Sequence, residues 1–193
     1  MCSYRHVTST VRWALAAIAV LAAAGIPVPG GGLFDRHEVA RDHVMAPPYV
    51  IKPNAEGSSV GVFLVTEGAN RPPQEVGAND WTYGEQVMVE PFIAGRELAV
   101  AVLGEADGPR ALTVTDITPT KGFYDYEAKY APGGSRHVVP AEVPQDVFDL
   151  CMDYALHAHR ALGCRGISRT DFRWDDTRGT KGLFLLETNT QPG

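Results

Sequence analysis

Cysteine and positive charge are both scarce in this chain of 193 residues. Cys2, Cys151 and Cys164 are odd in number, far apart and without a CxxC pair. Their spacing indicates neither a disulfide framework nor a zinc ribbon. Basic side chains number 17 against 23 acidic ones, giving a formal net charge of −6, and they form no cluster. We therefore expect no nucleic-acid partner.

The chain also lacks an obvious membrane-spanning run. The apolar stretch WALAAIAVLAAAG, Trp13 to Gly25, has thirteen residues, whereas a spanning helix needs about 20. Arg5 and Arg12 precede it, so it resembles a signal peptide. The alternative is a buried, alanine-rich helix that ends at Gly25 and is closed off by Pro27. Composition alone does not separate the two.

The chain contains many short apolar and β-branched runs that are bounded by glycine and proline. Such runs predict strands. The predicted strands cover residues 47–53, 60–65, 85–93, 96–104, 111–117, 166–174 and 182–189. Their short connections favour antiparallel pairing. One segment, PQDVFDLCMDYALHAHRALG, predicts a helix from Pro144 to a cap at Gly163. The mixture predicts an α+β fold with antiparallel sheets.

The predicted helix carries two histidines and an apolar stripe. His157 and His159 are two residues apart, hence on different faces, which is poor spacing for a metal, and we expect ordinary surface residues. The stripe, which we expect to face the core, comprises Val147, Cys151, Tyr154, Ala158 and Ala161.

The last predicted strand, in GLFLLETNTQPG, runs from apolar residues into Glu187 and Asn189. Side chains alternate along a strand, so these two project from one face. Arg169 and Asp171 are alternate residues of the preceding strand, and pairing the strands would gather three oxygen ligands and a guanidinium. Such ligands suit Mg²⁺, and carboxylates buried together are costly unless a cation neutralises them. The alternative is a polar strand end that enters a turn.

Three further segments contain candidate ligand-binding residues. Lys52 precedes a Gly/Ser loop whose N–H groups can form an anion nest, although a hairpin turn is an alternative. Glu90 and Glu97 flank a turn and can accept hydrogen bonds from a nucleoside, although a solvated hairpin tip is the simpler interpretation. In FYDYEAKY, aromatics accompany Lys129 and can cover a base while the lysine reaches a phosphate. A self-packed surface loop is the alternative there.

Six segments, in this order, resemble motifs of the D-alanine–D-alanine ligases in the ATP-grasp superfamily: AGIPVP, PYVIKPNAEGSSVGV, VMVEPFIAGRELAV, FYDYEAKY, GCRGISRTDF and LLETNTQPG. The resemblance implies two lobes whose antiparallel sheets enclose a nucleotide. It divides the chain into a helical lead-in (1–24), a small lobe (25–91) and a large lobe (92–193) that is incomplete at its C-terminal end. It also favours a retained helix over a signal peptide, and a cytoplasmic location.

The resemblance implies a reaction that supplies peptidoglycan precursors. ATP phosphorylates the carboxylate of one D-alanine, and the amine of a second D-alanine attacks the acyl phosphate. ATP and two Mg²⁺ ions, with Mn²⁺ as a substitute, are the implied cofactors. The implied substrates are small molecules, without nucleic-acid or membrane partners, and full-length relatives can form homodimers.

The resemblance also assigns roles to residues of this chain. The implied nucleotide-binding residues are Lys52, Ser59, Glu90, Glu97, Phe123, Tyr124 and Lys129. The implied metal ligands are Asp171, Glu187 and Asn189, with Glu187 bridging two ions. The implied catalytic residues are Arg169 and the Gly193 N–H, which form an oxyanion hole, and Ser58 and Tyr130, which close a loop over the substrates.

Three departures from the family pattern lead us to expect a fragment. The family has a preceding domain that helps to bind the first D-alanine, and it continues beyond NTQPG into a segment that holds the second. It also has a lysine in the helix before AAGIP, where this chain has none. We expect the catalytic, ATP-binding part of a ligase, inactive by itself. The alternative is a non-catalytic nucleotide-binding ATP-grasp module.

Overall fold

The computed structural model describes residues 13–54, 60–119 and 134–190. Its helices are α1 (Trp13–Ala23), α2 (Arg36–Arg41) and α3 (Gln145–Ala161), with 3₁₀ turns at Gln74–Gly77 and Asp176–Gly182. Its strands are β1 (Gly32–Asp35), β2 (Tyr49–Pro53), β3 (Phe63–Val65), β4 (Gln86–Pro91), β5 (Arg96–Glu105), β6 (Gly108–Pro119), β7 (Ser135–Val138), β8 (Ile167–Trp174) and β9 (Leu183–Asn189). The predicted α+β class with antiparallel sheets is confirmed.

The small sheet has the strand order β1-β4-β2-β3, with every neighbour antiparallel. Alternation along its strands separates a core face from a polar face. Tyr49 and Ile51 of β2 are fully buried and pack with Val89 of β4 and Val39 of α2. The intervening residues of β2 and β4, including Lys52, therefore project from the opposite face.

The large sheet has the order β7-β6-β5-β8-β9, again antiparallel throughout. Leu98 of β5 and Phe172 of β8 are fully buried in a core that includes Val147 and Cys151 of α3 and Leu21 of α1. Because Phe172 faces the helices, Asp171 and its alternate neighbours on β8 face away from them. Each sheet therefore has helices on one face and candidate site residues on the other.

Residues 92–95 connect the two sheets, since β4 belongs to the small sheet and β5 to the large one. The interpretation of this segment as a hairpin tip is therefore wrong. Gly95 has a φ of +93°, and a Cβ at that position would lie 2.1 Å from the carbonyl oxygen of Trp174. The interlobe linker, residues 92–95, thus lies directly against the backbone at the end of β8, where only glycine fits.

The apolar N-terminal run forms helix α1, but the predicted burial is not found: among residues 16–24 only Leu21 is buried, and Val20 is 42% exposed. Gly25, with a φ of +78°, donates its N–H to the carbonyl of Ala22, and Ile26 donates to Leu21. This αL-capped end is the helix stop that the sequence predicts. Within the described ranges, we find no helix with the length and apolarity needed to traverse a bilayer.

Helix α3 corrects two side-chain predictions. His159 is not a surface residue: it is 3% exposed, and its Nδ1 lies 2.8 Å from Oγ of the fully buried Ser168 on β8. Ala161 is exposed, whereas Val147, Cys151 and Ala158 are buried as predicted. Elements β1, α2 and β7 were not predicted at all.

Candidate functional site

A cleft of about 400 Å³ lies where the two sheets and the interlobe linker meet. Its lining includes Leu64 of β3, Phe92 of the linker, and Glu97, Ile117 and Arg173 of the large sheet. Apolar side chains on both walls with a few charged groups between them are typical of a small-molecule site.

The predicted metal ligands and the predicted oxyanion residue lie together on β8 and β9. Asp171 is opposite Glu187 in the strand register, and Arg169 is opposite Asn189. The Asn189 Nδ2 lies 3.1 Å from Asp171 Oδ2 and 3.3 Å from Glu187 Oε1. Arg169 binds Asp171 with both arms of its guanidinium, at 2.8 and 2.9 Å. Four side chains from two neighbouring strands thus converge on the sheet face that lacks helices.

A β-bulge makes this convergence possible. Phe172 pairs with Leu185, yet its neighbour Asp171 pairs with Glu187, so Leu186 is an extra residue in β9. In a regular strand without a bulge, Leu185 and Glu187 would project from one face, because strand side chains repeat every second residue. The bulge leaves Leu185 buried in the core and turns Glu187 towards Asp171.

The buried carboxylate of this cluster is neutralised by a protein side chain, whereas the sequence predicts that it needs a cation. Asp171 is 6% exposed, but the guanidinium of Arg169 compensates its carboxylate, and Glu187 is exposed. Burial therefore does not by itself require a metal at this place. In the described ranges, no cluster of three or more His, Cys, Asp or Glu side chains is arranged to hold a metal ion. A cation here would depend on two carboxylates and the Asn189 amide oxygen, and these roles remain predictions.

Lys52 and Glu90 form an ion pair across β2 and β4. Glu90 is 4% exposed, since β4 is an interior strand of the small sheet, whereas about a quarter of the Lys52 side chain is accessible. Both residues were predicted to contact a nucleotide, and the structure brings them together on one sheet face. Their pairing compensates the Glu90 charge within the protein itself.

Glu97 lies opposite Arg173 in the β5–β8 register, with Oε2 and Nη1 3.7 Å apart. Burial lowers the pKa of Arg173, and the neighbouring Glu97 carboxylate acts in the opposite direction. Arg173 was not predicted as a site residue. It follows Arg169 and Asp171 at the same two-residue spacing, so alternation along β8 could have identified it.

Comparison with known proteins identifies the family of the chain. The family described as "D-ala D-ala ligase C-terminus" matches residues 20–193. The chain belongs to this family. Proteins named D-alanine–D-alanine ligase from Caulobacter vibrioides and Roseobacter denitrificans are 70% and 63% identical to it. These alignments cover 91% and 89% of the chain but 53% and 51% of the relatives, so it spans about half their length.

Solved structures confirm the ATP-grasp fold of this D-Ala-D-Ala ligase family member. A D-Ala:D-Ser ligase from Enterococcus faecalis is 30% identical, with a TM-score of 0.71 over 93% of the chain and 52% of that protein. A D-alanine–D-alanine ligase from Bacillus anthracis has a TM-score of 0.67 over 95% of the chain and 58% of that protein. At 24% identity, the second likeness concerns the fold alone.

The remaining predicted site residues of this D-Ala-D-Ala ligase family member lie outside the described residues. They are Ser58, Ser59, Phe123, Tyr124, Lys129, Tyr130 and Gly193. Their roles therefore remain predictions. Among described nucleophilic groups, Cys151 is excluded as a nucleophile at neutral pH, because burial raises the pKa of its thiol to about 12.

Proposed function

We propose that the chain is the nucleotide-binding, catalytic half of an ATP-dependent D-alanine–D-alanine ligase. The observation that carries the proposal is the convergence of Arg169, Asp171, Glu187 and Asn189 on one face of β8 and β9. Family membership over residues 20–193 supports the same reaction class. The chain spans about half of its relatives, so the complete activity needs segments that those relatives have in addition.

The donor set of this cluster fits Mg²⁺, which prefers carboxylate and amide oxygens. Asp171 and Glu187 would supply carboxylates, and Asn189 would present its amide oxygen instead of the nitrogen that now faces them. Bound Mg²⁺ supplies neutralisation of the charge on the phosphate oxygens of ATP. Arg169 is held at this edge by Asp171 and can stabilise the negative oxygen that develops when an amine attacks a carbonyl.

In the proposed reaction, a carboxylate oxygen of one D-alanine attacks the γ-phosphorus of ATP, giving an acyl phosphate and ADP. The amine of the second D-alanine then attacks the acyl carbon, the bond between that carbon and the phosphate oxygen breaks with release of inorganic phosphate, and the amine gives up a proton as the dipeptide forms. Lys52 would contact phosphate oxygens, while Glu90 and Glu97 would accept hydrogen bonds from the adenine and the ribose. Lys52 and Glu90 are already side by side on the small sheet, which supports their placement in one binding site.

The proposal includes the assignment of a helical lead-in to residues 1–24, a small lobe to 25–91 and a large lobe to 92–193. The separate sheets and the linker at 92–95 support this division. It also includes a cytoplasmic location, two Mg²⁺ ions and homodimerisation of the full-length protein.

Titration of the purified chain with ATP, in the presence of Mg²⁺ or of EDTA, tests the nucleotide and metal roles. We expect Mg²⁺ to strengthen ATP binding, and Asp171→Asn to remove this dependence because it deletes one ligand charge. Asp176→Asn is the matched control, since Asp176 is exposed on the 3₁₀ turn that follows β8. Equal ATP affinity with and without Mg²⁺ in the unmodified chain would count against the metal site.

Phosphate release in the presence of D-alanine tests the ligase activity. We expect background release from the chain alone, because it covers 53% of its Caulobacter vibrioides relative. Joined to the remaining segments of that relative, the chain should release phosphate in step with dipeptide. If the joined protein binds Mg²⁺-ATP but forms no dipeptide, the non-catalytic module is the correct function instead.

A further inference from the structure

Arg173 contacts the interlobe linker at three of its residues. Its Nε donates to the carbonyl of Ile93 at 3.0 Å, and its Nη2 donates to the carbonyl of Gly95 at 3.1 Å. Its guanidinium carbon lies 5.2 Å from the ring centroid of Phe92. One side chain of the large sheet thus binds three of the four residues that connect the two sheets.

We infer that Arg173 is a positioning residue that fixes the interlobe linker and thereby sets the affinity of the cleft for a nucleotide. The nucleotide part of this inference rests on the proposed function. A planar guanidinium can bind two carbonyls and stack on a ring at once, which a lysine ammonium cannot do. The geometry therefore uses properties that are specific to arginine.

The linker is also held at both of its ends. The Phe92 N–H donates to the Pro48 carbonyl beside the small sheet at 3.1 Å. At the other end, Gly95 lies against the Trp174 carbonyl, where a side chain would clash. Arg173 adds contacts with both of these ends and with Ile93 between them. Because each peptide unit is planar, fixing the Ile93 and Gly95 carbonyls also fixes the direction of the following N–H groups.

The interlobe linker, which Arg173 contacts, forms part of the cleft wall. Phe92, Gly95, Glu97 and Arg173 all line the cleft, and the Arg173 guanidinium lies 3.7 Å from the Glu97 carboxylate. Arg173 also follows Asp171 on the same face of β8, so one strand carries both the candidate metal ligand and the arginine that contacts the linker. A wall that is held in place before binding loses less conformational freedom when a ligand arrives, and this raises affinity.

The test compares Arg173→Met and Arg173→Lys with the unmodified chain. Arg178→Met is the matched control: Arg178 also lies over a phenylalanine ring, Phe184, at 6.0 Å, but it is exposed on the 3₁₀ turn after β8. Two quantities are measured on each protein. The first is amide hydrogen exchange in the peptide covering residues 92–97 without nucleotide, and the second is the Kd for Mg²⁺-ATP.

We expect faster exchange in residues 92–97 and a Kd about tenfold higher in Arg173→Met. Arg173→Lys should give faster exchange as well, since it keeps the positive charge but loses the planar guanidinium that binds two carbonyls at once. Arg178→Met should match the unmodified chain. A general loss of structure would raise exchange in α3 too, so α3 peptides serve as the internal reference.

Unchanged exchange in residues 92–97 in both Arg173 variants would overturn the inference. Faster exchange with an unchanged Kd would overturn its nucleotide part. If the unmodified chain bound no Mg²⁺-ATP, the proposed function and the nucleotide part would both fail. The exchange data would still decide whether Arg173 fixes the linker, so the two failures are distinguishable.

Discussion

Removing the positive charge beside Glu90 should destabilise the small sheet. Glu90 is 4% exposed on an interior strand, and Lys52 is the side chain that the structure pairs with it. Lys52→Met removes the ammonium but retains an unbranched side chain of comparable length, so the packing of the stem is largely preserved. What remains is a buried carboxylate without its cation.

The expected loss of stability follows from the burial of the two partners. Breaking a fully buried ion pair by removing one member costs about 3–5 kcal/mol. The Lys52 side chain is 27% exposed, so water can reach that side of the Glu90 carboxylate and reduce the cost. We therefore expect Lys52→Met to lower the free energy of unfolding by about 2–3 kcal/mol. Glu90→Gln should cost less, because the Lys52 ammonium can remain hydrated.

Equilibrium unfolding in urea, followed by tryptophan fluorescence, measures this loss. Trp81 is a suitable reporter because it packs against Phe63 and Tyr83 beside the small sheet. The double variant Lys52→Met/Glu90→Gln should be more stable than Lys52→Met alone, with a coupling energy of about 1–2 kcal/mol.

The control for charge removal is Arg110→Met, which breaks an exposed ion pair with Glu105 on β5 and β6 and should change nothing measurable. The reasoning would be refuted by a Lys52→Met variant that is as stable as the unmodified chain. Strictly additive effects of the two substitutions would refute it equally, since the two side chains would then not be interacting.

Two further predictions concern the large sheet. Burial, reinforced by the nearby Arg160, lowers the pKa of His159 below its usual value near 6.5. As the pH falls through about 6.5, the unfolded chain therefore takes up a proton before the folded chain does. Folding stability should be constant above about pH 6.5 and should fall below it. Urea unfolding between about pH 5 and 8 should show this fall in the unmodified chain and a smaller one in His159→Gln; equal slopes would contradict it. Deleting Leu186 should remove the bulge but keep Leu185 opposite Phe172 and Glu187 opposite Asp171, because Leu185 and Glu187 then become neighbours on opposite faces of a regular strand. The Mg²⁺ dependence of ATP binding should therefore be retained in this variant, as in Leu186→Ala, which keeps the residue count. A deletion variant that lost this dependence would contradict the prediction, because Glu187 would then not remain opposite Asp171.

The parts of the site that could be predicted are those with strong local signals. Period-two spacing placed Arg169 and Asp171 on one face of β8, and the apolar run before Glu187 identified β9. Pairing of these strands then brought the residues together. The bulge at Leu186 could not be predicted, because alternation alone places Leu185 and Glu187 on one face. The four side chains do converge as predicted, but the bulge at Leu186, which the prediction lacks, is what places Glu187 on the face of Asp171.

Other features depend on contacts that are distant in sequence. Strand β1 has four residues and helix α2 has six, which is too short for either periodicity to be recognised. Gly95 signals a turn, but a turn within one sheet and a connection between two sheets have the same local signal. The spacing between His157 and His159 carries no information on burial, and the buried position of His159 involves a contact with Ser168 of another element.

The position of β4 inside the small sheet has a consequence for the order of folding. β4 is the last of the four strands in sequence, yet it lies between β1 and β2. Within the described residues β1 has no other strand neighbour, so a nascent chain that ends before β4 can form only the β2–β3 pair of this sheet. An isolated two-stranded pair is marginally stable in water. The four-stranded small sheet therefore cannot form on the ribosome until β4 emerges and connects β1 with the β2–β3 pair.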